Sequence, residues 1–216
     1  MRGVLITFEG VEGSGKSTQA ERLYNWLQAK GVPSMLSREP GGTAIGEQVR
    51  DILLDPENRA MDGLTELFLY LASRNQHVRE KVRPALDKGM VVILDRYLDS
   101  STAYQGFGRG LGERPVSRLN KLAIAGLRPH LTVLVDVPVK VGQVRKESTR
   151  LDRLERERVE FHESVREGYL RIARRARGRF RILDGRRPAE ELERAVQSLV
   201  KQLLSRKGIL KCKSSA

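Results

Sequence analysis

Residues 8–17 read FEGVEGSGKS. Gly10, four further residues and then Gly15-Lys16-Ser17 have the spacing of a loop that cradles phosphates, G-x-x-x-x-G-K-[ST]. Each residue type has a chemical reason. Glycine at 13 and 15 lets backbone N–H groups turn inward toward phosphate oxygens that side chains would block. Lys16 can reach the β and γ phosphates, and the Ser17 hydroxyl is suited to ligate Mg²⁺. The expected triphosphate contacts are Gly10, Val11, Glu12, Gly13, Ser14, Gly15, Lys16, Ser17 and Thr18. Glu12 is not required by the spacing, and a carboxylate among phosphate oxygens needs a reason of its own.

Holding a triphosphate does not say where its phosphate goes. A base-reading N-K-x-D stretch is absent from the sequence, which argues against a GTPase and directs attention to an acceptor site. A phosphorylated acceptor brings negative charge of its own, and arginine clamps such an oxygen set bidentately. Asp95-Arg96 directly follows the apolar run VVIL, so Asp95 is expected at a strand end, able to hold Mg²⁺ while Arg96 points to the acceptor. Arg38-Glu39-Pro40, followed by Gly41-Gly42-Thr43, also succeeds a strand-like stretch and opens a helix. Ligand loops of open α/β sheets occupy such positions.

The elements that must position these groups are legible in the apolar pattern. VLITFE (4–9), VVILD (91–95) and LTVLVDV (131–137) read as buried parallel strands, with weaker runs at 33–37 and 180–184. Helical spacing is found over 16–29, ending at Gly31, and over 43–54 and 64–83, where Pro84 is expected to bend or end the helix. The stretch 153–177 reads as helical, Pro115 and Pro138 suit first helical turns, and 189–204 forms a final amphipathic helix. Strands alternating with helices imply an α/β fold, a parallel sheet covered on both faces. Residues 1–206 are expected to form one domain, with 207–216 a frayed basic tail.

Composition narrows the class. No apolar run approaches the ~18 residues that span a bilayer, and the single cysteine, Cys212, permits no disulfide framework. A reducing cytoplasm fits. The net charge of +13 is uneven: residues 1–108 hold 13 Lys/Arg against 14 Asp/Glu, residues 109–216 hold 27 against 13. Glu-to-Arg spacings of three and four favour solvated helix faces over a nucleic-acid surface. At 5% aromatic residues, stacking platforms for single strands are few.

FEGVEGSGKST, REPGGT, GEQVRDILLD, LYLASR and DRYLDSSTAYQGFGRG occur in that order, and together they resemble bacterial thymidylate kinases over about residues 3–205. The resemblance implies a P-loop NTPase-type three-layer fold with a central five-stranded parallel sheet. It implies transfer of the γ-phosphoryl of ATP to dTMP with Mg²⁺, in dTTP synthesis, by a cytoplasmic homodimer. Arg50 would then grip the dTMP phosphate, Arg74 donate to the thymine O4, and Tyr70 stack on the base. Ser101, Thr102, Tyr104 and Gln105 would line the base and sugar, with Tyr104 disfavouring a 2′-hydroxyl. Glu12 would face the acceptor and accept from its 3′-hydroxyl. A mobile lid at about 142–155 would bring an arginine to the moving phosphoryl group; Arg145, Arg150 and Arg153 are the candidates. Rival readings are another nucleoside monophosphate or deoxynucleoside kinase of this fold, and a nucleotide- or nucleic-acid-binding protein using its basic half.

Overall fold

Six consecutive buried residues make Val4–Glu9 a strand that only the middle of a sheet can accommodate. In the computed structural model, which describes residues 3–146 and 151–210, this strand, β1, is central. The others are β2 (Ser34–Arg38), β3 (Val91–Asp95), β4 (Leu131–Asp136) and β5 (Phe180–Asp184). All pairings are parallel, in the order β2-β3-β1-β4-β5. The outer strands β2 and β5 are only partly buried, which is why their runs read weakly. Phe8 is in register with Asp95 and Glu9 with Leu134, so the ends of β3 and β4 flank the loop that leaves β1.

The helices are α1 (Lys16–Ala29), α2 (Ala44–Leu54), α3 (Gly63–His77), α4 (Arg83–Asp87), α5 (Leu98–Ser101), α6 (Glu113–Ala123), α7 (Val139–Val144), α8 (Val159–Arg175) and α9 (Ala189–Arg206). Alternation along β1 sends Val4, Ile6 and Phe8 into a core with Leu23 and Leu27 of α1 and Val196 and Val200 of α9. Leu5 points to the opposite core, with Val78, Val82 and Leu86. Pro84 neither ends nor breaks its helix. A π turn at Val78–Val82 comes just before it, widening the helix where the proline ring would strike a carbonyl one turn back. A second π segment, Thr102–Gly108, continues from α5.

Two further expectations are corrected. The helix read over 153–177 begins only at Val159, because Asp152 Oδ1 accepts from the N–H groups of Leu154 and Glu155 and holds a turn there. On α8 itself the solvated-face reading applies, with Arg171 pairing with Glu167 at 3.0 Å. The tail is not frayed from 207: Gly208 adopts a left-handed turn, Ile209 N–H donates to Leu204 O, and Ile209 and Leu210 pack on the α1–α9 core. Residues 211–216 lie outside the described residues.

Glu9 closes β1 with a fully buried carboxylate. It accepts from the Tyr97 N–H (2.9 Å), the Ser100 hydroxyl (2.6 Å) and the Tyr169 hydroxyl (3.1 Å). Burial, and then the neighbouring Asp99 carboxylate, push its pKa up to about 8 against those bonds and the charge of Arg96. From about pH 4.5 to 8 the folded chain keeps a proton that the unfolded chain has lost, so this stability is lost as pH rises through that window. In urea titrations the wild type is expected to weaken between pH 5 and 8 with a slope approaching about 1.4 kcal/mol per pH unit from this group. Glu9→Gln should flatten that decline; an equal decline in both proteins would show that Glu9 does not hold the proton.

Candidate active site

The strand order reverses about β1, and the crevice beyond the carboxyl ends of β1, β3 and β4 is where an open parallel sheet takes ligands. Residues 10–15 turn there through left-handed glycines, with φ of 67° at Gly13 and 91° at Gly15. A Cβ on Gly13 would collide with the Gly142 carbonyl of α7, so loop and α7 meet backbone to backbone. Gly15 caps α1 without a side chain, and the first turn carries no acid. The helix N-terminus is thus left open to an anion.

That end faces a cavity of about 450 Å³. Lys16, Ser17 and Thr18 line it from α1, Asp95 and Arg96 from the end of β3, and Arg145 and Lys146 from the end of α7. The Lys16 side chain is buried, its Nζ 3.5 Å from Val11 O. Burial, and then Arg96, lower its pKa, while Asp95 and Glu12 oppose them. Ser17 Oγ donates to Asp95 Oδ2 at 2.5 Å. Asp95 Oδ1 is buried with no hydrogen-bond partner among the described residues, a costly arrangement that a hard cation would relieve. No group of three or more His, Cys, Asp or Glu side chains that could hold a metal is found among the described residues. A hydroxyl and one carboxylate suit Mg²⁺, which takes few protein ligands and completes its shell with water and substrate phosphates.

A narrower pocket of about 70 Å³ opens beyond Glu12. Glu12, Glu39, Arg50, Arg96 and Asp152 line both spaces. Glu12 Oε1 accepts from Arg96 Nη2 and Oε2 from the Tyr104 hydroxyl, each at 2.6 Å, and His162 Nδ1 is 4.0 Å from Oε2. Burial would raise the carboxyl's pKa; Arg96, Lys16 and the Tyr104 hydroxyl more than offset this and bring it down to about 2. Arg96 has φ 69°, a left-handed conformation rare outside glycine. Its N–H donates to Phe8 O, and its guanidinium reaches Gly10 O and the hydroxyls of Ser100, Tyr104 and Tyr169. Arg96 therefore stands between the two spaces, at the end of the strand beside the loop.

Pro40, Tyr70, Ser101, Tyr104 and Gln105 form the rest of the narrow pocket's expected wall, and all are present in it. Arg50 donates to Pro40 O at 3.0 Å across the peptide that follows the cis Glu39–Pro40 bond. Gln105 Nε2 donates to the buried Glu66 at 2.9 Å. Arg38 is placed differently: it pairs with Glu47 at 2.8 Å on the rim of the larger cavity. Thr102 faces away, toward a cavity on the far side of α5, and its hydroxyl donates to Leu98 O. The segment is helical, so Ser100 and Ser101 meet the pocket while Leu98, Asp99 and Thr102 turn behind it. Arg74 is 1% exposed. Its guanidinium donates to Glu39 (2.6 Å), Ser101 (2.8 Å), Asn120 (2.6 Å) and Tyr97 O (3.0 Å), so four of its five N–H groups are taken by the protein just behind the pocket wall.

Of the three arginines expected in a lid, Arg145 lines the larger cavity, donating to Gly13 O at 3.2 Å and Gly185 O at 3.1 Å. Arg150 lies outside the described residues. Arg153 is corrected to an anchor: it is buried, donates to Leu53 O at 2.8 Å and pairs with Glu66 at 2.7 Å. It looks no different from its neighbours in the sequence because its partners are about 90 and 100 residues away. Asp152, Glu155 and Lys146 were not singled out by the motifs. Lys146 and Glu155 meet at 2.7 Å beside the phosphate cavity. A run of mixed charge gives no sign of which members turn inward.

The chain has relatives of known family. The thymidylate kinase family profile matches residues 8–196. The thymidylate kinase of Carboxydothermus hydrogenoformans is 51% identical over 193 residues, covering 89% of this chain and 94% of that protein. That of Symbiobacterium thermophilum is 45% identical over 204 residues, covering 94% and 95%. The crystal structure of thymidylate kinase from Ehrlichia chaffeensis superposes with a TM-score of 0.76 at 30% identity, covering 93% of this chain and 99% of that one.

Proposed function

The chain belongs to the thymidylate kinase family, and from that premise we propose how its own residues move the γ-phosphoryl group of ATP to dTMP, giving dTDP on the way to dTTP. The observation that carries the assignment of residues is the shared wall: Glu12 and Arg96, joined at 2.6 Å, line both the phosphate cavity and the narrow pocket. Donor and acceptor phosphates placed in these spaces meet at one cation.

The loop N–H groups, the α1 N-terminus and Lys16 hold the donor phosphates. Arg50 and Arg96 hold the acceptor phosphate, with Arg38 at the rim. Tyr70 offers its ring to the base, Ser101 and Gln105 its edge, and Glu39 and Pro40 the floor. The Tyr104 ring occupies the space beside the sugar, and Glu12 accepts from the 3′-hydroxyl. Arg74 acts chiefly by fixing Ser101 and Glu39, with one N–H left for the base. The attacking phosphate oxygen is already an anion, so no general base is required. Lys16 and Arg145 stabilise the charge on the transferring group. Ser17 and Asp95 would hold Mg²⁺, which when bound neutralises phosphate charge. Closure of the lid, about 142–155, excludes water that would otherwise consume ATP.

A cytoplasmic location, beside the free nucleotides, belongs to this reading. Among the described residues no helix is long and apolar enough to cross a membrane. Residues 1–206 are taken as one domain. Ile45 and Ile52 of α2 and Leu64 and Phe68 of α3 are exposed, Phe68 by 52%, and this apolar face supports a homodimer.

ADP formation with ATP and Mg²⁺ is expected to rise on addition of dTMP more than with thymidine or other monophosphates. No rise above the acceptor-free rate would overturn the assignment, and a preference for thymidine would favour a nucleoside kinase. Glu12→Gln should leave ATP affinity within about twofold and lower dTMP turnover about tenfold or more, the value of a charge-assisted hydrogen bond; unchanged turnover would remove Glu12 from the acceptor site. Light scattering should give a dimer for the wild type and a monomer for Phe68→Asp. A dimer in both would place the contact elsewhere.

A further inference from the structure

The short segment that turns Ser100 and Ser101 toward dTMP turns Leu98, Asp99 and Thr102 toward a second cavity of about 190 Å³. α6, the end of α8 and the residues before β4 close it. Asn120 stands between the two spaces: it lines this cavity, while its carboxamide accepts from Arg74 and donates to Leu98 O. Nothing in phosphoryl transfer uses the space.

Its charge is unbalanced. Arg179 is committed to the buried Asp99 through two bonds of 2.7 Å, and Arg175 pairs with Glu113. Those two pairs consume both carboxylates of the lining. Lys121 and Arg128 also line it, and no hydrogen bond or ion pair with a described residue engages the side chain of either. Two uncommitted cations therefore border a concave space whose floor includes the buried side chains of Ile124 and Ile172. A carboxylate would neutralise one of them; a phosphate carries enough charge for both and enough acceptor oxygens for ammonium and guanidinium together. The apolar floor gives the remainder of a small molecule something to cover.

We propose that this cavity is a second anion-binding site that takes a small phosphate-bearing molecule, its phosphate held by Lys121 and Arg128 and its apolar part on Ile124 and Ile172. The site lies directly behind the wall that holds the acceptor, and is separate from the phosphate-binding loop.

The probe is inorganic pyrophosphate, titrated calorimetrically into enzyme whose substrate spaces are already filled with dTMP and a non-hydrolysable ATP analogue. The wild type is expected to bind one equivalent. The double variant Lys121→Glu, Arg128→Glu should bind at least tenfold more weakly, with dTMP and ATP kinetics within twofold of the wild type. Arg194→Glu with Lys201→Glu on α9, which packs against α1, makes the same change in net charge and should leave binding intact. Absence of binding to the filled wild type, equal binding to the Lys121/Arg128 variant, or equal loss in both double variants would each overturn the proposal. Should the glutamate pair fail to fold, Lys121→Gln with Arg128→Gln is read against the same three outcomes.

Discussion

The ion pair between Glu12 and Arg96 is the contact on which the rest of the site depends. It joins the phosphate loop after β1 to the end of β3, two neighbouring strands whose register sets Phe8 beside Asp95. Arg96 reaches it from a left-handed backbone, a conformation that costs a non-glycine residue about 1–3 kcal/mol. The cost is offset by its N–H bond to Phe8 O and by the carbonyl and hydroxyls that surround its guanidinium. A cation fixed this way needs little rearrangement when charge shifts between phosphates, which is how preorganised electrostatics lowers a barrier. Glu12 keeps that cation aimed, so the carboxylate that looked misplaced among phosphate oxygens has a task within the folded protein itself.

A second set of contacts ties the surroundings together. Glu66 on α3, fully buried, accepts from Gln105, from Arg109 and from Arg153. These residues come from the pocket wall, from the end of the π segment and from the turn before α8. Burial opposes ionisation of Glu66, and the bonds from the two arginines and Gln105 overcome it and lower its pKa. Breaking one partner would leave a buried charge short of its bonds, a change that is usually expensive.

The sequence made the scaffold plain where physics was local. β1 reads directly because every residue in it is buried, and the loop after it reads directly because its glycines are required by left-handed turns and its lysine and serine by the chemistry of a phosphate. The site was legible where a motif fixed direction, as at Lys16, Ser17, Asp95 and Arg96. It was less so where direction depends on tertiary packing. Thr102 sits among true lining residues in sequence yet turns behind them, because the segment is helical. Arg153 shares its run with Arg145 and Arg150, and only Glu66 and the carbonyl of Leu53, both distant in sequence, separate an anchor from a phosphate-facing group. Arg74 shows the same limit: the resemblance implies a place near the base, but its four protein acceptors are spread over residues 39 to 120.

The position of α3 has a consequence for how surface and pocket are connected. One side of this helix gives Tyr70 to the narrow pocket, its buried Glu66 pairs with Arg153, and its outward face exposes Leu64 and Phe68. One helix diameter thus separates the outer apolar face from the wall of the narrow pocket and from the anchor of Arg153. A substitution at Leu64 or Phe68 therefore falls on the same rigid helix as Tyr70 and Glu66, with no loop between them to absorb a shift.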